Sequence, residues 1–301
     1  MKVMLIFWAM LAGGVLAGGV LAGDLRVVTF NIRYAAGGDT GVRSWSARKA
    51  VVAEAVGTMR PDVMGVQEAL SHQMTDLQGR LEGYEAYGVG RDDGKRRGEF
   101  SPIFYRSERF ERDANDSGTF WLSPTPDQAG TKGWGNQVVR ICTWVRLVEK
   151  DGGRGFYVFN THWDHQHQGS RERSARLIAE RIRMRQHADE PVVLVGDFNA
   201  TETNPAVAYL VDRAVELEGG PDGLERAGLN LRAAFLQRHP EQKDRRTFHG
   251  WKGARQGPHM IDHVLVSPQW TVKEAWIEYF KKGEVWPSDH FPVGAVLGWG
   301  K

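Results

Sequence analysis

The stretch Val192-Val193-Leu194-Val195-Gly196-Asp197-Phe198-Asn199-Ala200 decides how the rest of the chain is read. Four branched apolar residues in a row predict a strand buried on both faces. The run then enters Gly-Asp-Phe-Asn, where a carboxylate and a carboxamide stand two residues apart. Extended geometry carried through this turn would put Asp197 and Asn199 on one side and turn Phe198 back to the core. Asp and Asn also favour ordinary turns after strands, so the pair alone decides nothing. Its weight comes from the other strand ends of the chain, which also finish in acid, amide or imidazole groups.

Working outward, residues 25–31 form a first strand ending in Asn31, and Ser46 caps a helix over 47–59 that Pro61 stops. Residues 62–68 read as a strand ending in Glu68, followed by a helix over 71–81. A charged, glycine-broken loop over 88–98 leads through Glu99 into a strand at 102–105. Residues 120–135, with Trp121, Pro124, Pro126 and Trp134, read as a long ordered loop. A strand over 156–162 ends in His162, and helical spacing follows over 170–187. Residues 203–211 are a short helix. Residues 259–266 form a strand with Asp262 near its start, and 288–293 open the last strand with Asp289 and His290. No linker divides residues 24–301, and the irregular alternation of strands and helices predicts α+β layers in one domain.

A hydrophobic content of 41% and a charged content of 25% are those of a globular chain with a sizeable core. The formal net charge of +2 provides no global field to hold a polyanion non-specifically. The single cysteine, Cys142, excludes an internal disulfide and a cysteine-based metal site. Residues 1–22 carry one charge, Lys2, then an uncharged run in which Leu11-Ala12-Gly13-Gly14-Val15 repeats as Leu16-Ala17-Gly18-Gly19-Val20. This reads as a secretory signal, which predicts a secreted or periplasmic protein. The rival reading is an uncleaved membrane anchor, because the run is about long enough to span a bilayer.

A core does not tolerate this many isolated polar strand ends, since each buried charge costs several kcal/mol unless paired. They must pair, bind a cation or line a solvated cleft. Asn31, Glu68 and Asp289 are hard oxygen ligands suited to Mg²⁺ or Mn²⁺. His162 and His290 can move protons near neutral pH when a carboxylate orients the ring. A Gly-x-Ser-x-Gly serine and a His-Glu-x-x-His zinc helix are both missing. The set therefore equips a metal-assisted attack of water on a phosphate ester.

The series Thr29-Phe30-Asn31-Ile32, Gln67-Glu68, Asn160-Thr161-His162-Trp163-Asp164-His165, Gly196-Asp197-Phe198-Asn199, Ile261-Asp262-His263 and Ser288-Asp289-His290-Phe291-Pro292-Val293 resembles the endonuclease/exonuclease/phosphatase superfamily, the DNase I-like proteins. Residues 88–94, 120–123 and 247–250 further resemble an uncharacterised bacterial secreted subgroup. The resemblance implies a four-layer α/β/β/α sandwich of two packed, mainly antiparallel sheets. It implies Glu68 as main metal ligand with Asn31 and Asp289 nearby, and Asp197 to orient or deprotonate the water. Asn199 would hold a phosphate oxygen, His290 paired with Asp262 would contact the phosphate, and His162 would lie across from it. By position, Glu99 is the expected partner of His162. His263 departs from the family pattern, where an aromatic residue is common.

Arg91, Arg140 and Arg171 are candidates for a second phosphate of the substrate. His165 and His167 read as part of a polar loop. The expected function is a monomeric, metal-dependent phosphoesterase; the alternative is a binding protein that keeps the fold without turnover. Nucleic acid, a sphingomyelin-like lipid head group and a small phosphate ester all remain as substrates.

Overall fold

The computed structural model describes residues 23–300. The segment read as a signal, 1–22, lies outside the described residues. The chain runs through β1 (Leu25–Asn31), α1 (Trp45–Met59), β2 (Val63–Gln67), α2 (Ser71–Gln78), β3 (Tyr84–Tyr87), β4 (Ile103–Arg106) and β5 (Phe110–Trp121). It continues through β6 (Ile141–Glu149), β7 (Gly155–His162), α3 (Gln168–Arg183), β8 (Val192–Asp197) and α4 (Pro205–Leu210). The remainder is β9 (Arg232–Ala233), α5 (Ala234–Arg238), β10 (Asp262–Val266), β11 (Trp270–Ile277) and β12 (Val293–Trp299).

Two six-stranded sheets result, ordered β11-β12-β1-β2-β4-β3 and β5-β6-β7-β8-β10-β9. Each is antiparallel except for one central parallel pair, β1 with β2 and β7 with β8. Strand alternation sorts the side chains into three apolar layers. Val27, Val63, Val158, Val193 and Val195 pack between the sheets. Val28, Phe30 and Val66 face the other way onto Val52, Val56 and Leu77 of the first helical layer. Tyr157, Phe159 and Leu194 face Ala175, Ile178 and Val207 of the second. The expected four-layer sandwich is thus the observed one, and Val192–Val195 is buried on both faces as its composition demands.

The topology brings the polar strand ends together. The parallel strands β1, β2, β7 and β8 all finish at one edge and deliver Asn31, Glu68, His162 and Asp197 there. Their antiparallel neighbours β4, β6, β10 and β12 begin at that edge, so Glu99, Arg140, Asp262 and the Asp289-His290 pair arrive at their starts. Beneath the edge, buried amides lock the sheets together. Asn160 Nδ2 donates to Val66 O and Pro102 O at 2.8 Å each, and Gln67 Nε2 donates to Asn160 Oδ1 at 2.6 Å.

The sheets approach each other closely at Gly65. A Cβ there would overlap Val195 Cγ2 and lie 2.8 Å from Asn160 Cγ. Gly65→Ala is therefore expected to destabilise the fold by about 1–3 kcal/mol, the usual cost of overpacking, as read from a denaturant melt.

Several boundaries differ from the sequence reading. Ser44, not Ser46, caps α1, accepting from Ala47 N–H at 3.4 Å. Helix α2 stops at Gln78, and α3 spans Gln168–Arg183 rather than 170–187. Strand β10 starts at Asp262, and residues 288–292 precede β12 as irregular chain. The loop read over 120–135 begins after Trp121, which ends the long strand β5.

Candidate active site

Asp197 sits at the centre of the edge cleft. It is 1% exposed, opposite Asp262 in the β8–β10 register and beside His162 in the β7–β8 register. Its Oδ1 accepts from Asn199 N–H at 2.9 Å, and its Oδ2 accepts from Asn31 Nδ2 at 2.9 Å. His162 Nε2 and His290 Nε2 lie 3.5 and 3.7 Å from the same Oδ2. Burial and the charge of Asp262 push the Asp197 carboxyl up to about 7. Extended backbone ends at Asp197; Asn199 takes a left-handed φ of 47°. Asn199 nevertheless lines the cleft, its Nδ2 tied to Trp163 O at 3.0 Å. Phe198 turns into the core and stacks on Trp163 at 4.4 Å, as the spacing requires.

The first expected dyad is formed. His290 Nδ1 lies 2.9 Å from Asp262 Oδ2. The charges of Asp262 and Asp197 outweigh the effect of burial and raise His290 to about 10, so the ring is cationic. The second is not formed as a hydrogen bond. His162 Nδ1 stands 3.8 Å from Glu99 Oε2, and Glu99 instead accepts from Arg91 Nη1 at 2.7 Å. Burial, reinforced by the guanidinium charges of Arg140 and Arg91, holds His162 well below the ordinary histidine range. His162 is therefore neutral, chiefly because it is buried, and is not the cation that a bonded Glu99 partner would make it.

On the opposite wall Glu68 takes a left-handed φ of 67°, a strained conformation for a non-glycine residue and common at functional sites. Its Oε1 accepts from Asn31 Nδ2 at 3.0 Å and its Oε2 from Tyr34 N–H at 3.0 Å. Asp289 lines the same cleft, and burial, with the Glu68 charge, raises its carboxyl. The adjacent Arg33 compensates only in part, since it lies 3.9 Å from Asp289 but 3.0 Å from Asp39. A buried and a half-buried carboxylate with too little cationic compensation suit a hard divalent ion. Asn31 reaches the site with its amide oxygen already in one hydrogen bond. Arg33 N–H donates to its Oδ1 at 3.0 Å, so its amide presents N–H groups to Glu68 and Asp197. Asp197, Asp262 and His290 also form a compact group whose ligand atoms lie within 4.8 Å of one another. A cationic His290 satisfies that group from within.

Arg91 and Arg140 line the cleft. Arg171 does not: it is committed to Asp164 O at 2.9 Å and to Gln168 Oε1, and so holds the loop after β7. His165 accepts from Arg140 Nη2 at Nδ1, 3.1 Å away, because a guanidinium has only donors. His167 follows an Asp164-centred turn. His263 is buried behind the site, 5.1 Å from Phe198, and donates from Nε2 to Ala200 O at 2.8 Å. It does the packing work of an aromatic residue. Sequence reading missed Arg33, Tyr34 and Phe248 as cleft residues. Phe248 is 44% exposed and lies 5.0 Å from the His290 ring. The first two follow Asn31 within three residues, which was the available signal.

A two-sheet sandwich with histidines, carboxylates and an amide at one edge defines a DNase I-like protein. The chain belongs to the endonuclease/exonuclease/phosphatase family, whose model matches residues 28–290. It is similar to an endonuclease/exonuclease/phosphatase of Bacteroides vulgatus, 34% identical with a TM-score of 0.79, over 92% of this chain and 99% of that one. It is equally similar to a mannosyl-6-phosphatase of Bacteroides thetaiotaomicron, 34% identical with a TM-score of 0.79, over 91% and 100% of the two chains. An uncharacterized protein of Acanthamoeba polyphaga mimivirus is 27% identical over 168 residues, 54% of this chain and 61% of that protein. The match thus spans about three fifths of that curated relative. Among the described residues no helix is long and apolar enough to cross a membrane.

Proposed function

We propose that the protein is a divalent-metal-dependent phosphoesterase that hydrolyses a small phosphate ester by attack of water. The observation that carries this reading is the single cleft in which Asp197 stands between the carboxylate wall of Glu68 and Asp289 and the nitrogen groups of His162, His290 and Asn199. Glu68 and Asp289 would hold Mg²⁺ or Mn²⁺, which when bound supplies positive charge against the phosphate oxygens. Asp197, shifted toward neutrality, accepts the proton of the attacking water. The cationic His290, kept in orientation by Asp262, and the Asn199 amide stabilise the charge that grows on the phosphate. His162 contributes as a neutral donor.

A small substrate is favoured over nucleic acid by the near-zero net charge and by the likeness to a mannosyl-6-phosphatase. The cleft encloses about 520 Å³, room for a sugar phosphate. A binding protein without turnover would be expected to have lost one of Glu68, Asp197, Asp262 or His290, and all four are present. The reading of residues 1–22 as a signal supports action outside the cytoplasm; cell fractionation tests it. Purified protein with Mg²⁺ is to be assayed on a sugar phosphate, an aryl monoester, an aryl diester, DNA, RNA and sphingomyelin. Turnover of a monoester is the expected result, and inactivity on every ester would overturn the reading.

The dyads separate in a paired substitution. Asp262→Asn is expected to lower kcat by about 100-fold or more, since it misorients a buried imidazolium. Glu99→Gln is expected to lower it less than about tenfold, because Glu99 bonds Arg91 rather than the ring. Equal losses in steady-state kinetics would restore Glu99 as a partner of His162.

A further inference from the structure

We propose that Arg140 and Arg91 seat a terminal oxygen of a dianionic phosphomonoester, so that the cleft selects monoesters over diesters. The inference rests on the phosphoesterase reading above. Arg140 is 4% exposed at the start of β6 and lines the cleft. Its Nη2 is used by His165, but its Nε and Nη1 have no hydrogen-bond partner. The nearest carboxylate oxygen, Asp164 Oδ2, is 4.0 Å from Nε, beyond bonding distance. Asp164 Oδ1 is already taken by the Gln166 and His167 N–H groups. Arg91 gives one nitrogen to Glu99 and leaves its Nε buried and unpartnered. Trp121 Nε1 donates to Arg91 O at 2.6 Å and fixes that residue's backbone.

One wall of the cleft thus carries three buried donor nitrogens on two guanidiniums with no acceptor. Unpaired buried donors are costly, and native structures leave few of them without a reason. Here an anion supplies one. The positive charge of this wall resides in the arginines, because His162 beside them is neutral. Glu68, Asp289 and Asp197 line the same cleft, so a bound phosphate lies among groups of both signs.

The chemistry of the ester decides which phosphate fits. A monoester carries three terminal oxygens and close to two negative charges at neutral pH. A diester carries two terminal oxygens and one charge. The reaction centre of His290, Asn199 and the carboxylate wall has use for two. The third terminal oxygen, which only the monoester has, meets the planar forks of Arg140 and Arg91. A diester would press its second alkyl group against buried donors and leave them unpaired.

The test uses the Mg²⁺-loaded full chain and two probes, inorganic phosphate and dimethyl phosphate, titrated by calorimetry. Wild type is expected to prefer inorganic phosphate by roughly 100-fold, the scale of one or two charge-assisted hydrogen bonds. Arg140→Gln is expected to cut that preference to below about tenfold, and the ratio of monoester to diester kcat/KM should fall in parallel. Arg91→Gln is expected to lower both by a smaller factor, and it carries the test if Arg140→Gln does not fold. Equal affinity of wild type for the two probes would overturn the proposal. So would variants that weaken both probes by the same factor. A wild type that prefers phosphate yet hydrolyses no ester supports the seat and counts only against the phosphoesterase reading.

Discussion

Replacing Glu68 with Gln is expected to abolish turnover and leave the fold intact. Glu68 is the one carboxylate of the proposed metal wall whose two oxygens are held by uncharged donors alone, Asn31 Nδ2 and Tyr34 N–H. These bonds aim its charge into the cleft without neutralising it. Gln keeps the shape and one oxygen acceptor but removes the charge that captures a hard dication. The expected loss in kcat/KM is on the order of 1,000-fold, several kcal/mol of transition-state stabilisation. Stability should change little, because the site is left-handed at φ 67° and already strained for any side chain. Steady-state kinetics across a Mg²⁺ titration, with a thermal melt as control, measures both. A variant with near-normal kcat at ordinary Mg²⁺ would remove Glu68 from the centre of the account.

Asp197→Asn is expected to lower kcat by about 100- to 10,000-fold, the range of a lost general base, with KM little changed. Asn is isosteric, but it accepts no proton from water, and one side of its amide would present N–H groups to donors. Asn31 Nδ2 and the Asn199 N–H both point at this carboxylate. Burial and Asp262 keep its affinity for a proton near neutrality, which suits a base at the working pH. Kinetics on an aryl monoester separates the two parameters. A kcat within about tenfold of wild type would assign the proton to another group.

The strands that carry the site were legible because they are apolar on both faces and end in polar residues. Val192–Asp197 and Gly155–His162 read directly for that reason. The edge strand β5 did not, since Phe110–Trp121 passes through Arg-Asp-Ala-Asn-Asp-Ser-Gly and is irregular between Arg112 and Ser117. Its outer positions face solvent, so composition there imitates a loop. Strand β11, Trp270–Ile277, went unread for the same reason: exposed charged residues interrupt its apolar positions.

Convergence on one edge of the sandwich was legible at Asn31, Glu68, His162, Asp197, Asn199, Asp262, Asp289 and His290, because each stands at the end or start of a strand. Pairing was not. Glu99 reaches the right cleft but bonds Arg91, eight residues earlier, across a loop whose conformation no spacing rule specifies. The donor role of Asn31 depends on the Arg33 N–H at its oxygen, a detail of the turn after β1. Arg171 was indistinguishable in sequence from Arg140; only the structure separates a guanidinium spent on a loop carbonyl from one with buried donors to spare.

The central claim, hydrolysis of a phosphate ester through a metal held by Glu68 and Asp289, is tested most directly by assaying the purified protein on an aryl phosphate monoester. Release of phosphate is to be followed with Mg²⁺, after excess EDTA, and after Mg²⁺ is restored. The account predicts turnover that EDTA abolishes and Mg²⁺ recovers, with no recovery in Glu68→Gln. Turnover that continues undiminished in EDTA would contradict it.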